Sequence, residues 1–290
     1  RHDAVHGGIQ KRNGRKGERA VTKKILSGAF IALVLAFVYA PIVVLIIFSF
    51  TDATIIGQWE GFSLELYKRL FTVERLRNMI VNTVVLALLA GAISTVLGTL
   101  GAMGIFYAKK GWGKALKGAS NINVINAEIV IAVSLALVFS MLAFNKTYYS
   151  LLIGHVAFCT PFVVLSVIPK LKQMDPSLYE AALDLGASPA KALFKVVLPE
   201  ILPGIVSGFL LALTLSLDDY IITSFTKPAE FDTISTYVYN AVKNTAKSEL
   251  PAFRALAAVI FLIIVIVVVV LNVRAAGKNK QIAKMEKGKK

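Results

Sequence analysis

The sequence predicts an all-α membrane protein with six transmembrane helices, and two observations support this fold class. Of the 290 residues, 56% are hydrophobic and only 17% are charged, whereas soluble domains have about 25% charged residues. The hydrophobic residues also form six long blocks, at residues 25–50, 78–107, 120–144, 149–168, 200–226 and 251–273. Each block is long enough to cross about 30 Å of hydrocarbon at about 1.5 Å per helical residue.

Polar, basic segments lie at both ends of these blocks. Residues 1–24 carry eight Lys or Arg, and residues 274–290 carry seven. The N-terminal stretch is polar, Gly-containing and highly charged and cannot bury a core, so we expect residues 1–24 to be a disordered tail. The sequence thus predicts one membrane domain, residues 25–273, between two basic tails.

The orientation in the membrane follows from the positions of Lys and Arg. The two tails and the connections 108–119 and 169–199 together carry 23 of these residues, and the connections on the other side carry eight. The positive-inside rule therefore predicts that both termini are cytoplasmic. This distribution also accounts for most of the net charge of +15, so nucleic-acid binding is not expected.

Several kinds of site are excluded by residue counts. The single cysteine, Cys159, rules out a disulfide framework. Three histidines, two of them in the N-terminal tail, rule out a His-based metal site, and a helix-to-helix hydrogen bond is expected for His155. No stretch matches the phosphate-binding pattern G-x-x-x-x-G-K-[ST]. Transport against a gradient would therefore need nucleotide chemistry on another chain.

The longest predicted cytoplasmic connection contains the stretch "MDPSLYEAALDLGASPAKALFKVVLPEILPG", residues 174–204. Asp175 is a good helix N-cap, with Pro176 at the first helical position. Gly186 suits the left-handed residue that follows a helix end. The local pattern therefore predicts a short helix that ends in a glycine elbow.

A second short helix is expected directly after this elbow. Ser188 and Pro189 repeat the start signal, and Pro199 is expected to end the helix. Ala181 and Ala182 give the preceding helix a small-residue surface that another protein could approach closely. An amphipathic loop resting on lipid headgroups is the alternative from local pattern alone.

This stretch resembles the cytoplasmic signature of ABC importer permeases, which is E-A-A, three residues, Gly, nine residues and Ile-x-Leu-Pro. The matching positions are Glu180, Ala181, Ala182, Gly186, Val196 in place of Ile, Leu198 and Pro199. The resemblance implies the type I ABC importer permease (MetI-like) fold, which has six spans and cytoplasmic termini. It also implies a coupling helix that docks on an ABC ATPase dimer. ATP and Mg would bind to that partner, and this chain would need no cofactor and would not be an enzyme.

Two adjacent aspartates, Asp218 and Asp219, lie in the apolar stretch "LSLDDYIITSF". Counted along a continuous helix from Glu200, they lie about 26 Å from the cytoplasmic side. A charged side chain at the bilayer centre costs about 2.5–3.5 kcal/mol, so the pair is expected to face a bundle interior or a water-filled route.

Three interpretations of the pair are possible. It could reach the outer interface or pair with a basic residue such as Arg254. Intramembrane aspartyl proteolysis is disfavoured, because adjacent helical residues point about 100° apart and cannot share a scissile bond. The third interpretation is a route for a polycationic substrate. Glu128, about 12 Å from the cytoplasmic side, would then add a second acid at another depth, although it could equally stand at a helix start.

The stretches "LTLSLDDYIITSF" and "GHVAFCTPFVVLSVIPKLKQMDPSLYEAALDLGAS" are similar to spermidine/putrescine permeases, in particular to the second membrane subunit of the polyamine importer. This resemblance implies a polyamine pathway through Asp218, Asp219 and Glu128. That family commonly has Pro before the third-segment acid, and Ala127 stands there here, so a locally straighter helix is expected.

The partners implied by the resemblance are the ATPase dimer, a second homologous permease subunit and an extracytoplasmic polyamine-binding protein. The predicted location is the cytoplasmic (inner) membrane of a bacterium. Tyr237 and Tyr239, in the last outer connection, are candidate contact residues or ordinary interfacial aromatics. The alternatives are an ABC permease for another cation such as iron, a proton-coupled secondary transporter, and a membrane scaffold that binds a protein without transport.

Overall fold

A computed structural model describes residues 3–53, 57–243, 251–262 and 265–266. Within these ranges the chain is helical and contains no strand. The helices, numbered in chain order, are α1 (Asp3–Phe48), α2 (Glu65–Thr72), α3 (Glu74–Tyr107), α4 (Lys110–Ile125), α5 (Glu128–Met141), α6 (Tyr148–Gln173), α7 (Ser177–Asp184), α8 (Pro189–Glu200), α9 (Leu202–Asp218), α10 (Ile221–Thr226), α11 (Ile234–Lys243) and α12 (Pro251–Leu262). The chain divides into two compact units, residues 1–70 with 247–290 and residues 71–246.

In the first unit, α1 begins at Asp3. The segment 1–24 was predicted to be disordered, and from Asp3 onward it is helical in this structure instead. Helix propagation adds one hydrogen bond per residue once a nucleus exists, so a strongly apolar helix can extend backward through Lys, Arg, Gln and Glu, which are good helix formers. The C-terminal tail, residues 274–290, lies outside the described residues.

The C-terminal end of α1 is held by polar and aromatic contacts within the first unit. The Ser49 hydroxyl lies 2.7 Å from the Tyr67 hydroxyl, and the Phe50 ring stacks on Phe62 with centroids 5.6 Å apart. The buried Arg254 guanidinium donates to the carbonyl oxygens of Ala53 and Pro251. Arg254, considered above as a partner for the aspartates, thus has partners in its own unit.

The core of the second unit is formed by α3, α6 and α9, which pack against one another. Small residues on α3 and α9 permit this close approach: a Cβ atom at Gly98 would lie 2.6 Å from the Val163 Cβ, and one at Gly208 would lie 3.0 Å from the Val163 Cγ1. The small-residue face of α3 is therefore a packing surface.

Three described helical segments are long and apolar enough to cross a membrane: Leu26–Phe48, Glu74–Tyr107 and Tyr148–Gln173. A fourth results if α8 and α9, which meet at an angle of 71°, count as one broken span. The third predicted segment, residues 120–144, is not one helix. It divides between α4 and α5, because Asn126 and Ala127 have extended backbone angles.

The prediction that Pro199 ends the second helix of the cytoplasmic connection is confirmed to within one residue, because α8 ends at Glu200. Residues Leu193–Val197 form a π-helical turn, the chain stays helical through Pro199, and the break comes at Ile201. A proline ring clashes with the carbonyl group four residues earlier in a regular α-helix, and a wider turn relieves that clash. The π turn directly before Pro199 thus lets the helix continue.

Candidate functional site

The two aspartates stand at a helix break, and their environments differ. Asp218 is the last residue of α9 and its side chain is exposed. Asp219 has an extended backbone, lies in the short gap before α10 and is 4% exposed. Neighbours in the sequence therefore present one carboxylate to the surface of the chain and one to its interior.

The buried Asp219 carboxylate caps the N-terminus of α10. Its Oδ1 accepts from the backbone N–H of Ile222 at 3.1 Å. Its Oδ2 accepts from the backbone N–H of Thr223 at 2.7 Å and from the Thr223 hydroxyl at 2.6 Å. The Asp219 carbonyl oxygen accepts from the Ser235 hydroxyl at 2.6 Å. These bonds satisfy N–H groups that a helix start leaves without intrahelical partners.

His155 of α6 completes this polar cluster. Its ring is fully buried, with Nδ1 2.7 Å from the Ser216 hydroxyl of α9 and Nε2 2.9 Å from the Thr223 hydroxyl of α10. Nε2 also lies 3.4 Å from Oδ2 of Asp219. The expected helix-to-helix hydrogen bond is confirmed, and His155 joins two other helices rather than one.

Glu128 is the first residue of α5 and is half-buried. Helix α5 packs against α10, and the Glu128 carboxyl lies within hydrogen-bonding reach of the Asp219 carboxyl. An acid at a helix N-terminus also interacts favourably with the helix dipole. Glu128 therefore stands at a helix start and also lies beside Asp219, while its part in a substrate pathway stays a prediction.

The expectation that Glu128 and the aspartates lie at separate depths along a path was wrong. The estimate assumed two continuous helices, but the breaks at Ala127 and at Ile201 shift the register of each segment. The three carboxyl groups form one cluster instead. The expected straightening at Ala127 is also absent, because this residue adopts an extended conformation, with ψ 137°, although it is not a proline.

Other buried polar groups near this cluster take structural roles. The buried Cys159 thiol contacts the Ala212 carbonyl oxygen at 3.5 Å. In the described part of the chain, no group of three or more His, Cys, Asp or Glu side chains is arranged to hold a metal ion.

A polar cavity of about 530 Å³ lies between α3 and the segment that leads into α11. Arg75 lies over the Tyr237 ring, 4.6 Å from its centroid, and 3.8 Å from Asp232. Tyr237 is thus packed and buried, whereas Tyr239 is 47% exposed. The cavity was not predicted, since it depends on contacts between residues about 150 positions apart.

The predicted start of the first cytoplasmic helix is confirmed to within one residue. The Asp175 carboxylate accepts from the backbone N–H of Ser177 at 2.9 Å, and α7 begins at Ser177 with Pro176 already in a helical conformation. The backbone and hydroxyl hydrogen bonds from Ser177 lower the pKa of Asp175 from its ordinary value. The charged form of this cap is therefore favoured.

The predicted glycine elbow is also present. Gly186 has φ +83°, the left-handed region that favours glycine. Its N–H donates to the Leu183 carbonyl, and the N–H of Ala187 donates to the Ala182 carbonyl, which together form a Schellman motif. Ser188 then caps α8 by accepting from the N–H of Lys191 at 3.4 Å.

The surface of this elbow is uncovered within the chain. No residue of α7 is buried. Glu180, Ala181 and Gly186 are exposed, Ala182 is half-buried, and Leu185 is 89% exposed. Leu198 is half-buried and Pro199 is exposed at the end of α8. Tyr179 packs against the core and against the Tyr107 ring, so α7 is anchored on one side while Leu185 projects into solvent at the elbow.

Comparison with solved structures gives the same architecture. A bacterial ABC transporter involved in the import of the acidic polysaccharide alginate has a chain that superposes with a TM-score of 0.66. The match covers 88% of this chain and 96% of that chain at 19% sequence identity. The same transporter in complex with a pentasaccharide-bound periplasmic protein gives a TM-score of 0.65 at 18% identity. These similarities establish the fold.

Curated relatives are similar over most of the chain. The spermidine/putrescine transport system permease protein PotC of Haemophilus influenzae is 33% identical over 83% of this chain and 94% of its own length. The putrescine transport system permease protein PotI of Escherichia coli is 31% identical over 76% of this chain and 81% of its own length. Residues 20–278 match the model of one family. The chain belongs to that family, the binding-protein-dependent transport system inner membrane components.

Proposed function

We propose that this chain is a permease subunit of an ATP-driven importer that moves polyamines such as spermidine and putrescine. The observation that carries the proposal is the cluster of three carboxyl groups, Glu128, Asp218 and Asp219, at two helix breaks within apolar segments. Ionisable side chains within membrane segments are costly and rare, and they usually mark substrate or ion pathways.

The chemistry of the cluster suits a substrate with several positive charges. Asp218 is exposed and Glu128 is half-buried, so both are accessible to a cationic amine. An ammonium group donates three hydrogen bonds, and charge-assisted bonds to carboxylates are about twice as strong as neutral ones. The relatives named for spermidine and putrescine transport support this substrate class. Their similarity extends over most of the chain.

The proposed topology has six spans in the inner membrane of a bacterium, with both termini in the cytoplasm. Its support is the distribution of Lys and Arg, 23 on one side and eight on the other. In this topology the connection that contains α7 and α8 is cytoplasmic. The polar cavity beside Tyr237 is at the outer side.

The proposed partners are an ABC ATPase dimer, a second homologous permease and an extracytoplasmic polyamine-binding protein. The exposed surface of Glu180, Ala181, Ala182 and Gly186, with Leu198 and Pro199 beyond it, would contact the ATPase. ATP and Mg would bind to the ATPase, and this chain would hold no cofactor. The family description, binding-protein-dependent transport, supports the external partner.

In the proposed mechanism, closure of the ATPase dimer moves α7 and α8, and the bend of 71° between α8 and α9 transmits that motion to the acid cluster. The helices then alternate between outward and inward access. The substrate can shift this equilibrium only through different affinities for the two states. Asp218 and Glu128 supply that difference if helix motion changes their separation.

Uptake of radiolabelled spermidine by cells that express the full transporter tests the proposal. We expect Asp218→Asn/Asp219→Asn to reduce uptake by tenfold or more, since loss of the exposed Asp218 charge weakens substrate stabilisation by about 1.5–3 kcal/mol. Co-purification with the ATPase must remain at the wild-type level. Glu65→Gln is the matched control, because it neutralises an exposed carboxylate that pairs with Lys68.

Normal spermidine uptake by the double variant would contradict the polyamine pathway. A mutation of the Walker lysine in the partner ATPase should abolish uptake by the wild-type permease. Uptake that persists in that background would indicate a secondary transporter, and uptake of iron in place of spermidine would indicate a different cation as substrate.

A further inference from the structure

We propose that His155 is a positioning residue, which holds the Asp219 carboxylate through a directed chain of side-chain hydrogen bonds. These hydrogen bonds run from Ser216 through His155 and Thr223 to Asp219. This inference rests on the proposed function, since it concerns the carboxyl cluster assigned to the polyamine pathway.

The direction of the chain follows from the number of protons available. The Thr223 hydroxyl has one proton and is 2.6 Å from Oδ2 of Asp219, a carboxylate oxygen that only accepts. The Thr223 oxygen must therefore accept from Nε2–H of His155 at 2.9 Å. In the neutral ring, Nδ1 is then an acceptor, and the Ser216 hydroxyl donates to it at 2.7 Å. The bonds thus assign one tautomer, protonated at Nε2.

The backbone around His155 permits this arrangement. His155 lies on α6, Ser216 on α9 and Thr223 on α10, so the ring joins three helices. The preceding residue, Gly154, lies where α6 and α10 approach closely: a Cβ atom there would be 3.0 Å from the Ile222 side chain. The absence of a side chain at Gly154 lets the His155 ring reach both neighbours.

The chain of hydrogen bonds fixes the orientation of the whole turn. Both carboxylate oxygens and the carbonyl oxygen of Asp219 accept hydrogen bonds, so neither its side chain nor its peptide plane can rotate freely. Asp218 precedes this fixed residue and Glu128 lies beside its carboxyl group. The hydrogen bonds that begin at His155 thereby fix the position of Asp219 relative to the other two carboxyl groups.

The sharpest test is Thr223→Val, which keeps the shape of the side chain and removes the hydroxyl group that links His155 to Asp219. The complete transporter, reconstituted in vesicles with its ATPase and binding protein, is assayed for spermidine transported per ATP hydrolysed. We expect this ratio to fall about tenfold, the size expected for one lost hydrogen bond to a charged group. ATP hydrolysis should stay within about twofold of wild type.

Two matched variants separate positioning from packing. Thr223→Ser restores the hydroxyl group and should recover most of the ratio, although it removes a methyl group. Ser224→Ala lies on the same helix and removes a hydroxyl group that donates to the carbonyl oxygen of Tyr220, the N-cap of that helix. It should leave the ratio unchanged.

A double-mutant cycle tests whether His155 and Thr223 act through the same series of hydrogen bonds. His155→Leu should lower the ratio by a similar factor, and Thr223→Val added to it should lower the ratio little further, because both changes break the same chain. If His155→Leu does not assemble, Ser216→Ala combined with Thr223→Val replaces it in the cycle. Additive losses would overturn the proposal.

A wild-type ratio in Thr223→Val would also overturn it, as would a parallel loss of transport, ATP hydrolysis and assembled complex. Failure of the proposed function has a different signature. The wild-type transporter would then move no spermidine, whatever stands at position 223.

Discussion

The acid cluster and the α7–α8 elbow are both built on helix breaks, but they differ in what surrounds them. Asp219 accepts all of its hydrogen bonds from its own chain and is 4% exposed. At the elbow, the caps at Asp175 and Gly186 are also complete, yet no residue of α7 is buried and Leu185 is 89% exposed. Asp219 is buried and hydrogen-bonded within this chain, whereas the surface of the elbow is exposed.

This difference predicts that the Asp219 side of the acid cluster depends on packing within the chain, whereas the elbow surface depends on a partner. The Asp219 carboxylate is buried and caps a helix inside the second unit, so its removal should alter stability and transport together. The elbow needs only local backbone chemistry to keep its shape, so changes on its surface should alter binding to a partner and leave stability unaffected. Substitutions in each region can test that separation.

The largest effect is expected for Asp219→Ala. This change leaves the buried N–H groups of Ile222 and Thr223 without their acceptor, while the Thr223 hydroxyl keeps its 3.3 Å contact with the carbonyl oxygen of residue 219. Each buried unsatisfied group costs about 1–3 kcal/mol, so we expect a loss of at least about 2 kcal/mol. The thermal midpoint of the purified complex measures it.

Asp218→Ala is the matched control for that prediction. The Asp218 side chain is exposed and accepts no hydrogen bond from a described residue. The thermal midpoint should therefore stay near the wild-type value while spermidine uptake falls. Equal destabilisation by the two variants would contradict the division of roles between the neighbouring aspartates.

The second-largest loss of stability is expected for a substitution that strains the backbone of the elbow. Gly186 has φ +83°, and the space that a Cβ atom would occupy there is open, so Gly186→Ala introduces backbone strain without a clash. We expect a loss of about 1–2 kcal/mol, the difference that left-handed geometry imposes on a residue with a Cβ atom. Differential scanning fluorimetry of the complex would detect it.

Gly104→Ala is the control, because this glycine also has open space but lies inside α3, where alanine is the better helix former by up to about 1 kcal/mol. The two substitutions should therefore shift the thermal midpoint in opposite directions. A similar shift at both positions would mean that the elbow does not need the left-handed conformation.

The features that the sequence predicted correctly are local. Asp175, Gly186 and Ser188 were assigned to caps from their immediate neighbours, and each cap depends on atoms within about five residues. Likewise, a buried His155 in an apolar segment needed a hydrogen-bond partner somewhere, so the contact could be predicted although its identity could not.

The features that were missed depend on register across distant segments. Glu128 and Asp219 are 91 positions apart, and their proximity follows from the breaks at Ala127 and at Ile201. The break at Ala127 has no strong local signal, because alanine favours helices, whereas the break at Ile201 lies between Pro199 and Pro203 and close to the predicted helix end. The π-helical turn before Pro199 was not predicted either.

A surface substitution at the elbow should have little effect on stability. Leu185→Gln changes a side chain that is 89% exposed, so the free energy of unfolding should change by less than about 0.5 kcal/mol. Binding of the ATPase should weaken at least tenfold, since a projecting apolar residue is the kind of anchor that interfaces bury. Co-purification and surface plasmon resonance with the isolated ATPase measure the change.

Leu116→Gln provides the comparison, because Leu116 is 45% exposed on α4, outside the elbow. It should bind the ATPase like wild type. If both leucine substitutions weaken binding equally, the contact surface is not specific to the elbow.

The smallest effect is expected from the titration of Asp175. Its pKa is lowered in the folded state by the hydrogen bonds from Ser177, so its contribution to the start of α7 is fully present above the unfolded value of about 3.9. The contribution is lost as the pH falls through the lower, folded pKa. Asp175→Asn keeps a capping oxygen that does not titrate.

Hydrogen–deuterium exchange of the α7 segment, corrected for intrinsic rates, should therefore match between wild type and Asn at pH 7 and diverge only below about pH 4. Asp175→Ala, which lacks the cap, should exchange faster at both pH values. If wild type and the Asn variant already differ at pH 7, the carboxylate charge contributes to the elbow beyond its role as a hydrogen-bond acceptor, through the dipole of α7.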